Sequence, residues 1–475
     1  MRRENDLGKD KVFGLLIRLA IPAMIAQLVN VLYSIVDRIY ISHIPDVGNL
    51  ALAGVGICAP IIVIITSFCY LFGLGGAPLL AISLGEQNKE KAQKILANSF
   101  MSLLAISIVI MALFLSIKQF ILRWFGASAT IFPYANDYLT IYLYGTVFAI
   151  LSLGLNSFIS CQGFSKVAMA SVLVGALANI LLDPLFIFTF KLGIKGAAIA
   201  TVVAQALSCI WVVLFLLGKR TAVKLSFKGF DIKLVGRIVT LGISPFLIMA
   251  TEGVIIIALN YNLQKFGGAN GDNLIASATI VVSCMQLITS PLGGITMGAQ
   301  PVMSYNFGAM QFDRIKQAMK YLFFICLVYT SIMFIITMAF PQLFIKIFSR
   351  DPNIVQMTIK GIRAYMLGVV FLSSQYAVVD SFTALGCAKY AITLSLARKL
   401  LILMSLTFIL PIFFGAESAY YAEAIADIVG GCVCAIVYFC TINKIFDKRK
   451  LQKNCVDNGN DKKLAVENVG LIEKI

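Results

Sequence analysis

Apolar and polar residues are sorted along this chain into long blocks. Twelve apolar runs stand out, at about residues 13–44, 50–80, 94–118, 134–160, 166–190, 195–218, 236–262, 274–304, 318–346, 359–384, 390–414 and 418–443. Each exceeds the roughly 20 residues that a helix needs to cross a bilayer. The pattern predicts an all-α membrane protein of twelve spanning helices. The first run is too long for the apolar core of a signal peptide, and no small-residue cleavage site stands out after it, so it reads as a retained helix.

The interruptions inside these runs carry the chemistry. Asp37 falls well inside the first run, in Leu32-Tyr33-Ser34-Ile35-Val36-Asp37-Arg38-Ile39-Tyr40-Ile41. A charge near the bilayer centre costs about 2.5–3.5 kcal/mol on insertion scales, so an intramembrane acid points to an ion or substrate pathway. The fifth run holds a second acid in Asn179-Ile180-Leu181-Leu182-Asp183-Pro184. Asn179 and Asp183 are four apart and share one helix face. Pro184 has no N–H for the carbonyl of Ile180, which leaves a backbone oxygen beside the carboxylate. Carboxylate, amide and carbonyl oxygens suit a proton or a hard cation such as Na+. In the second half, Glu252, Tyr376 and Asp380 form a possible second cation or substrate site. A structural pairing of these acids with Arg398 or Lys399 competes with that reading. Glu423 and Asp427 face Arg398 and Lys399 as a mutually neutralising network whose role is structural.

The chain repeats at a fixed offset of 223 residues. Pro22 matches Pro245, Gly75 matches Gly298, Pro78 matches Pro301, Gly85 matches Gly308, Gly163 matches Gly386 and Lys166 matches Lys389. Six helices per repeat put both halves in the same orientation, so a pseudo-two-fold along the membrane normal relates them. The expected domains are an N-terminal arm (1–11), an N-lobe (12–218), a linker (219–235), a C-lobe (236–444) and a polar tail (445–475). The tail is charged, poor in aromatics and expected to be disordered.

Composition agrees. The 475 residues are 59% hydrophobic with a mean hydropathy of +0.89, outside the range of soluble domains. The net charge of +16 is unevenly placed: 26 Lys and Arg flank one side of the twelve runs, including both termini, and 7 flank the other, Arg350 among them. By the positive-inside rule both termini are cytoplasmic. Anionic lipid accounts for the basic face, and no nucleic-acid partner is implied. The eleven cysteines avoid the opposite loops, so no disulfide framework is expected. His43 ends the first helix and is assigned no role. Sixteen Met and 34 Phe suggest an adaptable apolar cavity. No phosphate loop, nucleophile elbow, zinc spacing or dinucleotide fingerprint occurs, which argues against an enzyme and against self-supplied ATP hydrolysis.

Two lobes of six helices with these motifs resemble the multidrug and toxic compound extrusion (MATE) transporters over about residues 10–445. Pro22, the Leu32–Ile41 stretch, Gly85-Glu86, Gln162-Gly163 with Lys166, and Asn179–Pro184 are similar to its N-lobe signatures. Gly308, Asp380, Ala384-Leu385-Gly386 and Ala422-Glu423-Ala424-Ile425-Ala426-Asp427 are similar to its C-lobe ones. The bacterial MepA-like, DinF-related branch fits best. The resemblance implies a monomer in the bacterial cell membrane that exports cationic amphipathic drugs against H+ or Na+, with no cofactor and no structural metal. It implies Asp37, Asn179 and Asp183 as the coupling residues, and Glu252, Asp380 and Tyr376 as the acids and phenol used in another branch. Two alternatives stay open. A lipid-linked oligosaccharide flippase of related fold would want basic residues lining its cavity. A prenyl-substrate membrane enzyme would want Asp-rich metal motifs, and none is visible.

Overall fold

The computed structural model describes residues 5–125, 127–227, 229–348 and 352–457. Arg2, Arg3, Lys228 and Arg350 of the charge bias, and the tail beyond residue 457, lie outside the described residues. The described chain forms α1 (Val12–Ser42), α2 (Gly48–Gly85), α3 (Lys89–Trp124), α4 (Phe132–Tyr144), α5 (Thr146–Ser160), α6 (Ser165–Pro184), α7 (Ile194–Leu217) and α8 (Ile232–Gly267). It continues with α9 (Gly271–Gly308), α10 (Phe312–Ala339), α11 (Gln342–Phe348), α12 (Pro352–Tyr365), α13 (Val369–Ala384), α14 (Ala388–Leu396), α15 (Ser405–Phe414) and α16 (Ala419–Asp457).

Eleven of the helical stretches are long and apolar enough to span a membrane. The bent pair α4–α5, turned by 55° at Gly145, makes a twelfth. The helices outrun the apolar windows because their polar ends project past the hydrocarbon. Three predicted runs are interrupted. The fourth bends at Gly145, the ninth ends at Phe340-Pro341, and the tenth passes through a 3-10 turn at Met366–Gly368. Two others change pitch: α6 runs into a π turn at Leu185–Thr189, and α14 joins α15 through a π segment at Ala397–Met404. Pro184 cannot donate to the preceding turn, which favours the widened ring that follows it.

Two large apolar cores divide the molecule. One gathers α2 to α7 with Ile41 of α1 and Ile238 of α8; the other gathers α9 to α14 and α16 with Leu259 and Leu263 of α8, while Leu406 and Leu410 of α15 join a small third cluster with Ile255 and Ala422. The exchange at the start of each lobe is notable. The first half of α1 (Leu15, Leu16, Leu19) belongs to the C-lobe core, and the first half of α8 belongs to the N-lobe core. Each lobe therefore lends the foot of its first helix to the other.

Glycines make that seam possible, and they follow the repeat. A Cβ on Gly85 would fall on the carbonyl oxygen of Tyr305, and a Cβ on Gly308 would fall on that of Ile82. Both glycines and both carbonyls are 223 apart. Gly294 and Gly298 likewise press on Met24 and Ala20, and Gly242 presses on Leu71. These approaches lie at the end of the bundle that carries the N-terminus. The turns that follow repeat as well: Gln87 and Met310, also 223 apart, both adopt φ near +60°, and Gly163 and Gly386 both have positive φ.

Polar contacts reinforce the same end. Asn5 donates to the carbonyl of Gly163 at 2.9 Å, Asn306 donates to that of Leu7 at 2.9 Å, and Arg314 donates to that of Asp10 at 2.7 Å. Residues 5–10 thus strap one lobe to the other. The region after Phe446, expected to be disordered, is helical to Asp457. Its charged face is held because Arg449 pairs with Glu86 across the lobes and stacks over Phe307. Burial alone raises the Glu86 carboxyl, but Arg449 and Lys91 outweigh it and hold the group below its ordinary range.

Gly308→Ala should destabilise the protein by about 1–3 kcal/mol, the usual cost of overpacking. Gly253→Ala, where an added Cβ meets nothing within 4 Å, should be neutral or slightly stabilising; thermal unfolding in detergent separates the two. Glu86→Gln should cost about 1 kcal/mol at neutral pH. Because the folded-state pKa is lowered, that deficit should be full above the ordinary carboxylate range and vanish as pH falls through the Glu86 pKa.

Candidate functional site

Helix α1 presents Asp37 inward and Arg38 outward, as their spacing of about 100° requires. Asp37 is 8% exposed, and Arg38 lies on the exposed side. Helix α6 packs along α1 and brings Asn179 and Asp183 to the same interior, at 2% and 0% exposure. The carboxyls of Asp37 and Asp183 lie within hydrogen-bonding reach of each other. Asn179 donates through Nδ2 to Asp183 Oδ1 at 3.2 Å and to Thr201 Oγ1 of α7 at 3.4 Å. Three buried oxygens of this cluster, Asp37 Oδ1, Asn179 Oδ1 and Asp183 Oδ2, receive no donor among the described residues. A buried oxygen left bare is expensive. Three together form an electron-rich pocket that a proton or small cation would satisfy.

The surroundings include residues that the motif search passed over. Half-buried Tyr33 and buried Tyr138 lie within electrostatic range of Asp37. Thr201 returns its own proton to the carbonyl of Ala197 at 3.0 Å. Tyr33 had a legible signal, since it sits four residues before Asp37 on one face of α1. Tyr138 and Thr201 had none, because only packing brings α4 and α7 to this place.

One cavity touches the cluster, and a second adjoins that cavity. The first lies inside the N-lobe and is lined by Tyr33, Asn179, Thr201 and Gln205 among others. The other lies between the lobes and spans about 900 Å³ with its open mouth included. Asn30, Leu153, Asn156 and Val172 line both, so Asn179 is one wall away from the inter-lobe space. That space is walled by amides and hydroxyls such as Gln27, Asn156, Ser157, Gln300 and Ser304, with Met169 and Met297. The expected Phe-rich lining does not occur among its described residues. The phenylalanines instead fill the lobe cores or face outward, as Phe158 and Phe414 do.

The C-lobe acids have separate partners. Asp380 of α13 accepts from Thr296 and from Gln300, both on α9. Glu252 of α8 pairs with Lys399, which also donates to the carbonyl of Ile248 at 3.3 Å. Tyr376 lies within electrostatic range of both acids. The pairing of Glu252 with a base is thus the geometry present. Arg398 alone meets the two acids of α16: it donates to Glu423 Oε1 at 2.5 Å and to Asp427 Oδ1 through Nε at 3.0 Å. The expectation that both bases face both acids therefore needs correction. Neighbours on the π segment point apart, so Lys399 turns to α8 while Arg398 turns to α16. Among the described residues no cluster of three or more His, Cys, Asp or Glu suits a metal ion, and the ten described cysteines are unpaired.

The chain resembles known proteins over nearly its whole length. The sequence model described as MatE matches residues 22–185 and 247–409, one segment in each lobe. The chain is 24% identical over 446 residues to a protein named multidrug export protein MepA from Staphylococcus haemolyticus, covering 93% of this chain and 97% of that one. It is 24% identical over 447 residues to the protein of the same name from Staphylococcus saprophyticus, covering 94% and 96%. Among solved structures, it superposes on the outward-facing conformation of a multidrug resistance MATE family transporter of the MOP superfamily. The TM-score is 0.85 at 22% identity, over 92% of this chain and 98% of that one. A MOP superfamily transporter from Pyrococcus furiosus gives a TM-score of 0.86 at 22% identity, with the same coverage.

Truncating the base of the C-lobe network should be costly, since it leaves two buried acids facing each other. Arg398→Met is expected to lose about 3–5 kcal/mol, the range for breaking a buried pair. The triple variant Arg398→Met, Glu423→Gln, Asp427→Asn should recover most of it. Melting of the purified proteins in one detergent measures both.

Proposed function

The chain belongs to the MatE family of membrane transporters, and from that membership we propose that it exports cationic amphipathic drugs from a bacterial cell by antiport against H+ or Na+. The observation that carries this reading is the trio of buried oxygens on Asp37, Asn179 and Asp183, left without donors one wall from an inter-lobe cavity. Such a trio attracts a small cation in exchange for a large one. When the coupling ion binds, the site loses negative charge and its pull on a cationic drug weakens. Competition between the two then drives exchange, and the two lobes alternate access by moving about the seam where α1 and α8 cross.

Several finer parts of the reading belong with it. The domain scheme remains 12–218 for the N-lobe and 236–444 for the C-lobe, joined by 219–235. Both termini face the cytoplasm, on the strength of the Lys and Arg bias. The glycine seam and the strap at residues 5–10 then close the cytoplasmic end, and the cavity faces outward. The protein works as a monomer in the bilayer, with no cofactor and no nucleic acid. Glu252, Tyr376 and Asp380 form a secondary cation site whose availability depends on release of Glu252 by Lys399.

The flippase alternative loses support from the same geometry. Its cavity would want free bases for lipid phosphates. Arg398 and Lys399 are engaged by Glu423, Asp427 and Glu252, and the central lining is neutral.

The test is reconstitution in liposomes with a pH or a Na+ gradient imposed separately, following a fluorescent organic cation. The wild type should respond to one gradient. Asp37→Asn should fall to the level of empty vesicles with unchanged melting temperature. Gradient-driven transport at the wild-type rate in that variant would remove the N-lobe acids from the coupling mechanism.

A further inference from the structure

The C-lobe network holds one acid more than it can neutralise. Glu252, Glu423 and Asp427 face Arg398 and Lys399, three potential negative charges against two positive ones. Two of the acids are well provided for. Lys399 pairs with Glu252, and Glu423 accepts from Arg398 through Oε1 and from the Tyr365 hydroxyl, at 3.3 Å, through Oε2. Asp427 is not. Both guanidinium N–H groups that reach it go to Oδ1, while Oδ2 is buried with no partner. The residue is 0% exposed, beneath Gly368 of the 3-10 turn before α13. Gln375 Oε1 of α13 is a second buried oxygen without a donor. It sits 2.8 Å from where a Cβ on Gly430 would be, one turn along α16, against the stem of Arg398.

A bare carboxylate oxygen in this place, with net charge left over, calls for one more cation. A proton needs only the lone Oδ2, which the Arg398 guanidinium leaves unpaired. We propose that Asp427 carries a proton on Oδ2, making the C-lobe a proton-binding site separate from the Asp37–Asp183 pair. Every charged or titratable side chain described around it bears on that balance. Glu252 comes from α8, Tyr365 from α12, Tyr376 from α13, Arg398 and Lys399 from the π segment, and Glu423 and Cys434 from α16 itself. Only Arg398 and Lys399 are cationic, so the excess acid is not cancelled from any side. Arg398 spans the two acids of α16, so loss of the proton would give the π segment a stronger hold on that helix. This inference rests on the charge balance and the unpartnered Oδ2, and does not need drug export to be correct.

Infrared spectroscopy of the full-length protein in nanodiscs tests it through the carbonyl stretch of protonated carboxylic acids, which shifts in D2O. The background should be Asp37→Asn, Asp183→Asn, Asp380→Asn, so that neither the N-lobe pair nor Asp380, which only neutral donors answer, contributes. An acid band should remain there, weaken as pH is raised, and disappear on adding Asp427→Asn. That variant should melt within experimental error of its parent, because Asn imitates the neutral acid. A second variant guards against misfolding. Glu423→Gln removes the excess charge, so the same band should vanish with Asp427 intact. Persistence of the band in Asp427→Asn, or a large fall in its melting temperature, would overturn the proposal. So would a melting shift specific to Na+ over K+ that Asp427→Asn abolishes, since the bound cation would then be sodium.

Discussion

Hydrocarbon offers no hydrogen-bonding partner, so every polar group that this protein takes into the membrane must be satisfied by the protein itself or by something it carries. The backbone solves this by being helical almost throughout the spans. The side chains solve it unevenly. Ser and Thr hydroxyls largely return to carbonyls of their own helix, as Thr66, Thr330 and Thr407 do. The ionisable groups cannot do that, and the way each is met separates structure from chemistry.

Three solutions coexist. Arg398 binds Glu423 and Asp427, and Lys399 binds Glu252, so bases answer acids directly. Asp380 is answered by neutral donors on α9. Asp37 and Asp183 are answered mostly by each other and by one amide, an arrangement with oxygens to spare. The last is the one with the most bare oxygens. It also lies within one cavity wall of the space between the lobes.

The lobes are joined by close backbone approach as well as by the apolar feet that α1 and α8 exchange. Gly85 and Gly308 each let a helix approach the carbonyls of the other lobe, and the positions repeat at the sequence offset. Around this seam, the strap at residues 5–10 and the Glu86–Arg449 pair add polar ties between the lobes.

Much of this was written in the chain. Twelve spans follow from the length of the apolar runs, because hydrocarbon thickness fixes how many residues a span needs. The offset of 223 follows from Gly and Pro positions, because those residues constrain backbone wherever they occur. Asp37, Asn179 and Asp183 were legible, since a carboxylate in an apolar run is costly enough to need a reason. Tertiary structure alone decided who meets whom. It sent Lys399 to Glu252 and Arg398 to Glu423 and Asp427, placed Tyr138 and Thr201 beside the acids of α1 and α6, and turned the charged stretch after Phe446 into a helix held by Glu86. Such partnerships depend on how helices far apart in sequence rotate about their own axes. That rotation is set by the packing of all the faces together, and no local pattern encodes it.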